Sequence, residues 1–90
     1  MANFTGMDIQ GVRNLAVQMR AKADDIDALM SQLTSQLGST QWVGNGRQQF
    51  ESDWSGQHCT ALRNVAQALR DAATRADNNA TAQENTSNIG

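Results

Sequence analysis

The sequence predicts an all-α fold, an antiparallel helical hairpin that pairs with a second hairpin in a four-helix bundle. Three observations predict it: an alanine-rich composition without proline, a long heptad repeat of apolar residues, and one glycine-containing break near the middle. Of the 90 residues, 13 are alanine and only seven are valine or isoleucine. Alanine is the best helix former, so this composition favours helix over sheet. A chain of this length forms one small domain, spanning residues 1–90.

The first predicted helix spans about residues 8–37. Thr5 and Asp8 have the spacing of an N-cap residue and its N3 partner in a capping box. Apolar residues then follow at alternating steps of three and four, the heptad pattern of a helix in a bundle. One row is Ile9, Ala16, Ala23, Met30 and Leu37, and the other is Val12, Met19, Ile26 and Leu33. Leu15 and Leu29 widen this stripe beyond the strip that one partner helix covers.

A turn of about residues 38–45 separates this helix from a second one at about 46–79. Gly38 suits the left-handed position that ends a helix, and Asn45 is the candidate N-cap of the next helix. The apolar positions of the second helix are Phe50, Trp54, Ala61, Leu62, Val65, Leu69, Ala72 and Ala76. They drift from one row to its neighbour, as happens when a 3.6-residue helix carries a repeat near 3.5. Residues 80–90 are polar, and we expect a flexible tail there.

The width of the apolar stripe predicts association with a second hairpin. Two helices lying side by side bury one strip each, which leaves part of the first helix uncovered. A four-helix bundle covers the remainder, with a second copy or a different hairpin as the partner. The residues expected at the hairpin and dimer interfaces are Val12, Leu15, Met19, Ile26, Leu29, Met30, Leu33, Leu37, Phe50, Trp54, Leu62, Val65 and Leu69.

The charge distribution argues against nucleic acid and anionic membranes as partners. The net charge is −2, with seven basic residues scattered among nine acidic ones, so no basic stripe is present. No apolar run approaches the length of about 18 residues that a membrane-spanning helix needs. The first residues lack a charged segment followed by an apolar run, so we expect no Sec-type signal peptide.

No pattern of residues indicates catalysis. Cys59 and His58 are the only cysteine and histidine, and adjacent side chains on a helix point about 100° apart. The three aspartates within residues 24–27 lie near basic residues and predict a solvated acidic patch rather than an acid–base pair. Residues 44–46 read Gly-Asn-Gly but lack the preceding strand of a dinucleotide loop. We therefore expect no catalytic, cofactor-binding or metal-binding residues, and no enzyme.

Trp42 lies within the predicted turn, and two interpretations of it remain open. An indole beside an inter-helix turn can fold back over the open end of the hairpin and bury a large apolar area. It can also remain accessible and dock onto a partner. Gly44 then provides either a positive φ or room for close packing beside the ring.

The tripeptide Trp42-Val43-Gly44, placed in a mid-chain turn between two amphipathic helices, resembles the WXG100 (ESAT-6-like) family. Phe50 after the motif, Trp54 one turn later and the Ala/Leu-rich second helix are also similar to actinobacterial members of that family. The resemblance covers essentially the whole chain. It implies a hairpin that dimerises head to tail into a four-helix bundle. It also implies export from the cytoplasm by a type VII (ESX-like) secretion system without a cleaved signal peptide.

The same resemblance implies where the chain is recognised. In such proteins the W-x-G turn lies near the C-terminal segment of the partner subunit, which often carries a Tyr-x-x-x-Asp/Glu export signal. An FtsK/SpoIIIE-type ATPase reads this signal, so Trp42, Val43 and Gly44 would belong to the secretion-recognition surface. This chain has no tyrosine, and its segment 73–77 keeps only the acidic end of the spacing.

Three explanations for the missing tyrosine remain: a heterodimer partner carries the signal, the signal has diverged, or the chain is not exported. We favour the partner. An intracellular adaptor or targeting chaperone that pairs with a larger secreted effector is the alternative function. A generic helical oligomerisation module is a further alternative.

Overall fold

The first long helix, α1, runs Ile9–Ser39, and an antiparallel second arm returns along it. That arm consists of α2 (Asn45–Asp53), a π-helical turn (Trp54–His58) and α3 (Cys59–Ile89). The computed structural model describes residues 7–89, and no strand occurs among them. The hairpin is 67 Å long and 18 × 17 Å across. The predicted all-α hairpin is therefore confirmed, whereas the dimer and its four-helix bundle stay predictions.

The N-terminus of α1 is capped by Asp8 itself. Its Oδ1 accepts a hydrogen bond from the backbone N–H of Gly11 at 3.0 Å, which satisfies one of the free donors of the first turn. The prediction that Asp8 acts as the N3 partner is therefore wrong. Thr5, the predicted cap, lies outside the described residues.

The C-terminus of α1 ends without the predicted left-handed glycine. The helix continues through Gly38 to Ser39, and Thr40 caps it in an extended conformation with φ −89° and ψ 135°. The hydroxyls of Ser39 and Thr40 donate to the carbonyl of Gln36, at 3.2 and 2.6 Å. Because these hydroxyls satisfy a terminal carbonyl, Gly38 is not needed as a left-handed cap.

Gly44 is where the chain enters the second arm. It is the only residue with a positive φ, 107°, among those described, and it occupies the N-cap position of α2. Asn45, predicted as the cap, is instead the first residue of the helix. A residue with a Cβ rarely adopts this φ, so the turn requires glycine at this position.

In the second arm, the buried side shifts from one row of residues to the next within a single π turn, rather than gradually along the helix as the sequence predicted. The backbone N–H of Cys59 bonds to the carbonyl of Trp54, closing a turn with one residue more than an α-helical turn. Trp54 and Cys59 therefore both lie on the buried side of the arm. A regular helix would not place residues five apart on the same side.

The two arms meet along a seam of small residues. Its members are Ala16, Ala23 and Met30 of α1, Trp54 of the π turn, and Cys59, Ala66, Ala73 and Ala80 of α3. The row predicted for α1 includes its three seam residues, but the row of α3 was not predicted. Small side chains on both helices let their axes approach closely. The larger apolar residues of α3, such as Leu62 and Leu69, lie beside the seam and are only partly buried.

Helix α3 continues ten residues beyond the predicted end at 79. Ala80 is fully buried in the seam, and Glu84 forms an ion pair with Arg13 of α1 at 2.8 Å. The expectation of a flexible tail at 80–90 is therefore wrong for residues 80–89. Packing and ion pairing order a polar segment whose composition alone does not favour folding.

Within residues 7–89, no helix has an apolar stretch long enough to cross a membrane.

Candidate interaction surfaces and the W-x-G turn

One side of the hairpin carries ion pairs between the arms, and we call it the charged face. The pairs are Arg13–Glu84 at 2.8 Å, Arg20–Asp77 at 2.8 Å, Asp27–Arg70 at 2.7 Å and Asp24–Arg70 at 2.8 Å. The first three recur every seven residues on both helices, so they lie on one side of the seam. The direction of the pairs reverses along the face, because α1 supplies the arginine of the first two pairs and the aspartate of the third. This reversal disfavours a shift of one helix along the other.

The three aspartates within residues 24–27 form the solvated patch that the sequence predicted, and two of them also pair with α3. Asp24 and Asp27 both bind Arg70 of α3, whereas Asp25 pairs with Lys22 at 3.7 Å. Hydrogen bonds to Asp24 and then Asp27 raise the pKa of Arg70 above its usual range. The two carboxylates therefore favour the charged form of the guanidinium.

We expect Arg70→Gln to lower the melting temperature by a few degrees at low salt, because it removes both of these pairs. The pairs are partly exposed to solvent, so salt screens them and the difference should shrink at high salt. Arg75→Gln is the matched control, since Arg75 is exposed on α3 and forms no ion pair within residues 7–89. Circular dichroism melts at two ionic strengths measure both. An equal effect of the two variants would contradict a role of Arg70 between the helices.

The opposite side of the hairpin is apolar, as helix geometry shows. Residues three and four positions before a seam residue lie on opposite sides of it. Before Ala16 these are Arg13 and Val12, and before Ala73 they are Arg70 and Leu69. Both arginines belong to the charged face, so the apolar residues of both arms share the other side. We call it the apolar face, and its residues are Val12, Leu15, Met19, Ile26, Leu29, Leu33, Leu62, Val65, Leu69, Ala72 and Ala76.

Much of the apolar face is open to solvent. Leu15, Leu29, Leu33 and Val65 are exposed, and the other members are partly buried against the seam. No large side chain among the described residues is fully buried. The hairpin therefore leaves much of its largest apolar area uncovered, which is the condition for association that the sequence predicted.

Three aromatic rings form a stack at the turn end. The ring centroids of Trp42 and Phe50 are 5.7 Å apart, and those of Phe50 and Trp54 are 6.2 Å apart and nearly parallel. Trp54 is buried with Met30 and Cys59, and its Nε1 donates to Thr34 Oγ1 at 2.9 Å. Trp54 therefore closes this end of the hairpin core. Trp42 remains 41% exposed at the outer end of the stack.

A shallow groove of about 250 Å³ lies beside Trp42. Its lining residues are Leu33, Gln36, Leu37, Thr40, Trp42 and Phe50. Phe50 and Trp54 both lie next to residues 33–37 of α1. Leu33 also belongs to the apolar face, so this face and the W-x-G turn form one continuous surface. The indole of Trp42 is thus partly packed against Phe50 and partly accessible, and its docking onto a partner stays a prediction.

Arg47 fixes the backbone of the turn, a role that the sequence did not reveal. One guanidinium nitrogen donates to the carbonyls of Thr40 and Trp42, at 3.3 and 3.2 Å. The other nitrogen pairs with Glu51 at 3.4 Å, as the spacing of four residues predicts. The side chain of Arg47 thereby bridges the end of α1 and the start of α2. Val43 at the centre of the turn is 89% exposed.

The structure does not bring Cys59 and His58 together as a reactive pair. Cys59 is buried in the seam, whereas His58 is exposed with its ring 6.4 Å from that of Trp54. No group of three His, Cys, Asp or Glu side chains that could hold a metal ion occurs within residues 7–89. The polar side chains of the described chain instead line surfaces and cap helices.

Comparisons with known proteins do not identify a relative. No family model matches the chain, and neither the curated proteins nor the solved structures contain a significant match.

Proposed function

We propose that this chain is a small non-enzymatic protein of the WXG100 type, exported or co-exported by a type VII secretion system and acting through helix–helix pairing. One observation carries the proposal. The tripeptide Trp42-Val43-Gly44 forms the turn between two long antiparallel arms, with Gly44 at a φ of 107° and the indole of Trp42 half-exposed. The turn therefore presents the accessible side chain of Trp42, and its backbone conformation requires glycine at position 44.

Pairing with a second hairpin is supported by the small apolar area that the seam buries. Five of its eight members are buried alanines, and each contributes much less than a buried leucine, which stabilises by about 1.5–3 kcal/mol. The leucines and valine of the apolar face gain that stabilisation only when a partner covers them. A four-helix bundle formed through this face would leave the charged face open to solvent.

The position of residues 73–77 supports an export signal on the partner subunit. Ala73 stands where the tyrosine of a Tyr-x-x-x-Asp/Glu signal would be, and it is fully buried in the seam. Asp77 is paired with Arg20 at 2.8 Å. This segment therefore holds the hairpin together and cannot present an aromatic residue to an FtsK/SpoIIIE-type ATPase. In the proposed complex, the partner supplies the tyrosine and this chain supplies Trp42.

We expect Trp42→Ala to abolish export while the hairpin stays folded. The indole lies outside the buried cluster of Met30, Trp54 and Cys59, so that cluster stays intact, although the loss of packing against Phe50 lowers the melting temperature. The measurement is the amount of the chain in culture supernatant and cell lysate when it is co-expressed with a hairpin of the same family. Val43→Ala is the control, because Val43 projects from the same turn and contacts little. Its export should equal that of the wild type.

The same assay separates the alternatives. Retention of the wild-type chain in cells, together with export of a larger effector that depends on it, would indicate an adaptor. A Trp42→Ala chain that is less stable but fully exported would indicate an oligomerisation module without a recognition surface at the turn. Abundant export of the chain without any partner would contradict a signal carried by the partner.

A further inference from the structure

A second and larger groove, of about 550 Å³, opens on the charged face near the turn end. Met30 and Cys59 of the seam form its floor, and its polar lining is Asp27, Ser31, Thr34, Ser35 and Arg63. The lining residues come from both arms, so the relative position of the two helices defines the groove. It lies on the side of the hairpin opposite the apolar face.

Arg63 occupies the place where the series of ion pairs on the charged face breaks off. It lies one heptad from Arg70 toward the turn, so its expected partner on α1 lies one heptad beyond Asp27. That position holds Thr34 instead of an acid. Arg63 forms no ion pair or hydrogen bond within the described part of the chain. The guanidinium thus offers its donors to the groove, because the one carboxylate in the lining, Asp27, is paired with Arg70 instead.

The hydroxyls around Arg63 are free to donate as well. Thr34 Oγ1 accepts from Nε1 of Trp54, which leaves its own proton for another acceptor. The side-chain hydroxyls of Ser31 and Ser35 make no hydrogen bond within the described residues, although their backbones belong to α1. By contrast, the hydroxyls of Ser39, Thr40, Thr60 and Thr86 each donate to a backbone carbonyl three or four residues earlier. The groove therefore gathers donors that have no acceptor within the chain.

We infer that this groove binds an acidic side chain of a partner polypeptide, with Arg63 as the charged anchor and the hydroxyls of Ser31, Thr34 and Ser35 as further donors. A carboxylate accepts from several donors at once and matches the planar guanidinium in bidentate geometry. Asp27 at the far end of the groove does not repel it strongly, because Arg70 neutralises Asp27 at 2.7 Å.

The shape of the groove favours a polypeptide over a small free anion. Its α1 wall runs from residue 27 to residue 35, about 12 Å, which accommodates three or four residues of extended chain. The apolar floor of Met30 and Cys59 can take the methylene groups of a glutamate. Because the groove lies opposite the apolar face, a second hairpin on that face leaves it accessible. The inference therefore does not depend on the proposed secretion function.

Titration of the ¹⁵N-labelled full-length chain with a capped hexaglutamate peptide at low salt tests the inference. We expect saturable NMR shifts centred on residues 27–35 and 59–63, and slower alkylation of Cys59 by a maleimide when the peptide is bound. Arg63→Gln should weaken peptide affinity by about tenfold or more, as expected for the loss of a charge-assisted contact. Arg75→Gln removes the same charge from an exposed position of α3 and should leave the affinity within about twofold.

Three results would overturn this assignment. Equal weakening by the two arginine variants would mean that only the overall charge attracts the peptide. Absence of saturable shifts within residues 27–35 would place the binding elsewhere or exclude it. Inorganic phosphate that binds as tightly as the peptide and displaces it would indicate a small-anion site. Because Arg63 is exposed and forms no ion pair within residues 7–89, Arg63→Gln is expected to fold, and its melting curve checks this directly.

Discussion

Replacement of Ala73 with leucine is expected to destabilise the hairpin strongly. Ala73 is fully buried, and the ion pairs Arg20–Asp77 and Asp27–Arg70 place it level with Ala23 on α1. Ala23 is also fully buried, so the added carbon atoms have no free space and must force the helices apart. Overpacking of this kind costs about 1–3 kcal/mol. For a chain of this size each kcal/mol lowers the melting temperature by roughly 4–8 °C.

Ala68→Leu is the matched control for that substitution. Ala68 is exposed on the outer side of α3, where a leucine side chain meets solvent rather than α1. Alanine and leucine both favour helix, so the two variants differ mainly in packing against the other arm. Thermal unfolding followed by circular dichroism measures both. If Ala73→Leu melts at the temperature of Ala68→Leu, the helices are not closely packed at the seam.

The hairpin could be predicted from the sequence because its signals are local. The heptad repeat of α1 and the change of composition at residues 38–45 each depend on residues close together in the chain. Trp42 and Gly44 marked the turn, and the φ of 107° at Gly44 agrees with the expected need for glycine. The buried row of α1, from Ala16 to Met30, was likewise contained in the predicted stripe.

The seam of α3 could not be predicted in the same way. Periodicity favours the largest apolar residues, so it selected Leu62 and Leu69 rather than Cys59 and Ala66, which are buried. Whether a small or a large residue faces the other helix depends on how closely the helices approach, which is a tertiary property. The π turn at residues 54–58 has no distinct residue signature either. Its consequence, burial of Trp54 beside Cys59, appears only when the two arms are packed.

The structure of the polar C-terminal segment could not be predicted from the sequence either. Residues 80–89 lack large apolar side chains, so composition indicates a flexible segment. In the structure this segment is helical because Ala80 packs in the seam and Glu84 reaches Arg13 at 2.8 Å. Arg13 lies 71 residues away in sequence, and no local pattern reveals that contact. The bonds of Arg47 to two turn carbonyls were missed for a different reason, because they depend on the backbone conformation of the turn, which no residue pattern reveals.

Leu15→Glu is expected to abolish pairing with a second hairpin while the hairpin itself remains folded. Leu15 and Val17 flank the buried Ala16 at about 100° on either side. Leu15 lies on the apolar face and is 52% exposed, and Val17 lies toward the charged face and is 58% exposed. A glutamate at position 15 meets solvent in the isolated hairpin, but in the paired state it becomes a buried charge without a partner. That burial costs about 3–5 kcal/mol, which corresponds to a dissociation constant roughly 100-fold higher or more.

Val17→Glu introduces the same charge one residue position from the seam, on the side that the proposed bundle would leave in water. Its dissociation constant should therefore stay close to that of the wild type. Light scattering and sedimentation of each variant, alone and mixed with a WXG100-type hairpin, measure the association.

Loss of pairing with Leu15→Glu alone would place the interface on the apolar face, and the wild-type mass would distinguish a homodimer from a heterodimer. Equal losses with both variants would exclude that face as the specific interface, since charge rather than position would then decide. A wild-type chain that stays monomeric with and without the second hairpin would remove dimerisation from the proposed function. In that case the exposed leucines of the apolar face would not require a partner hairpin.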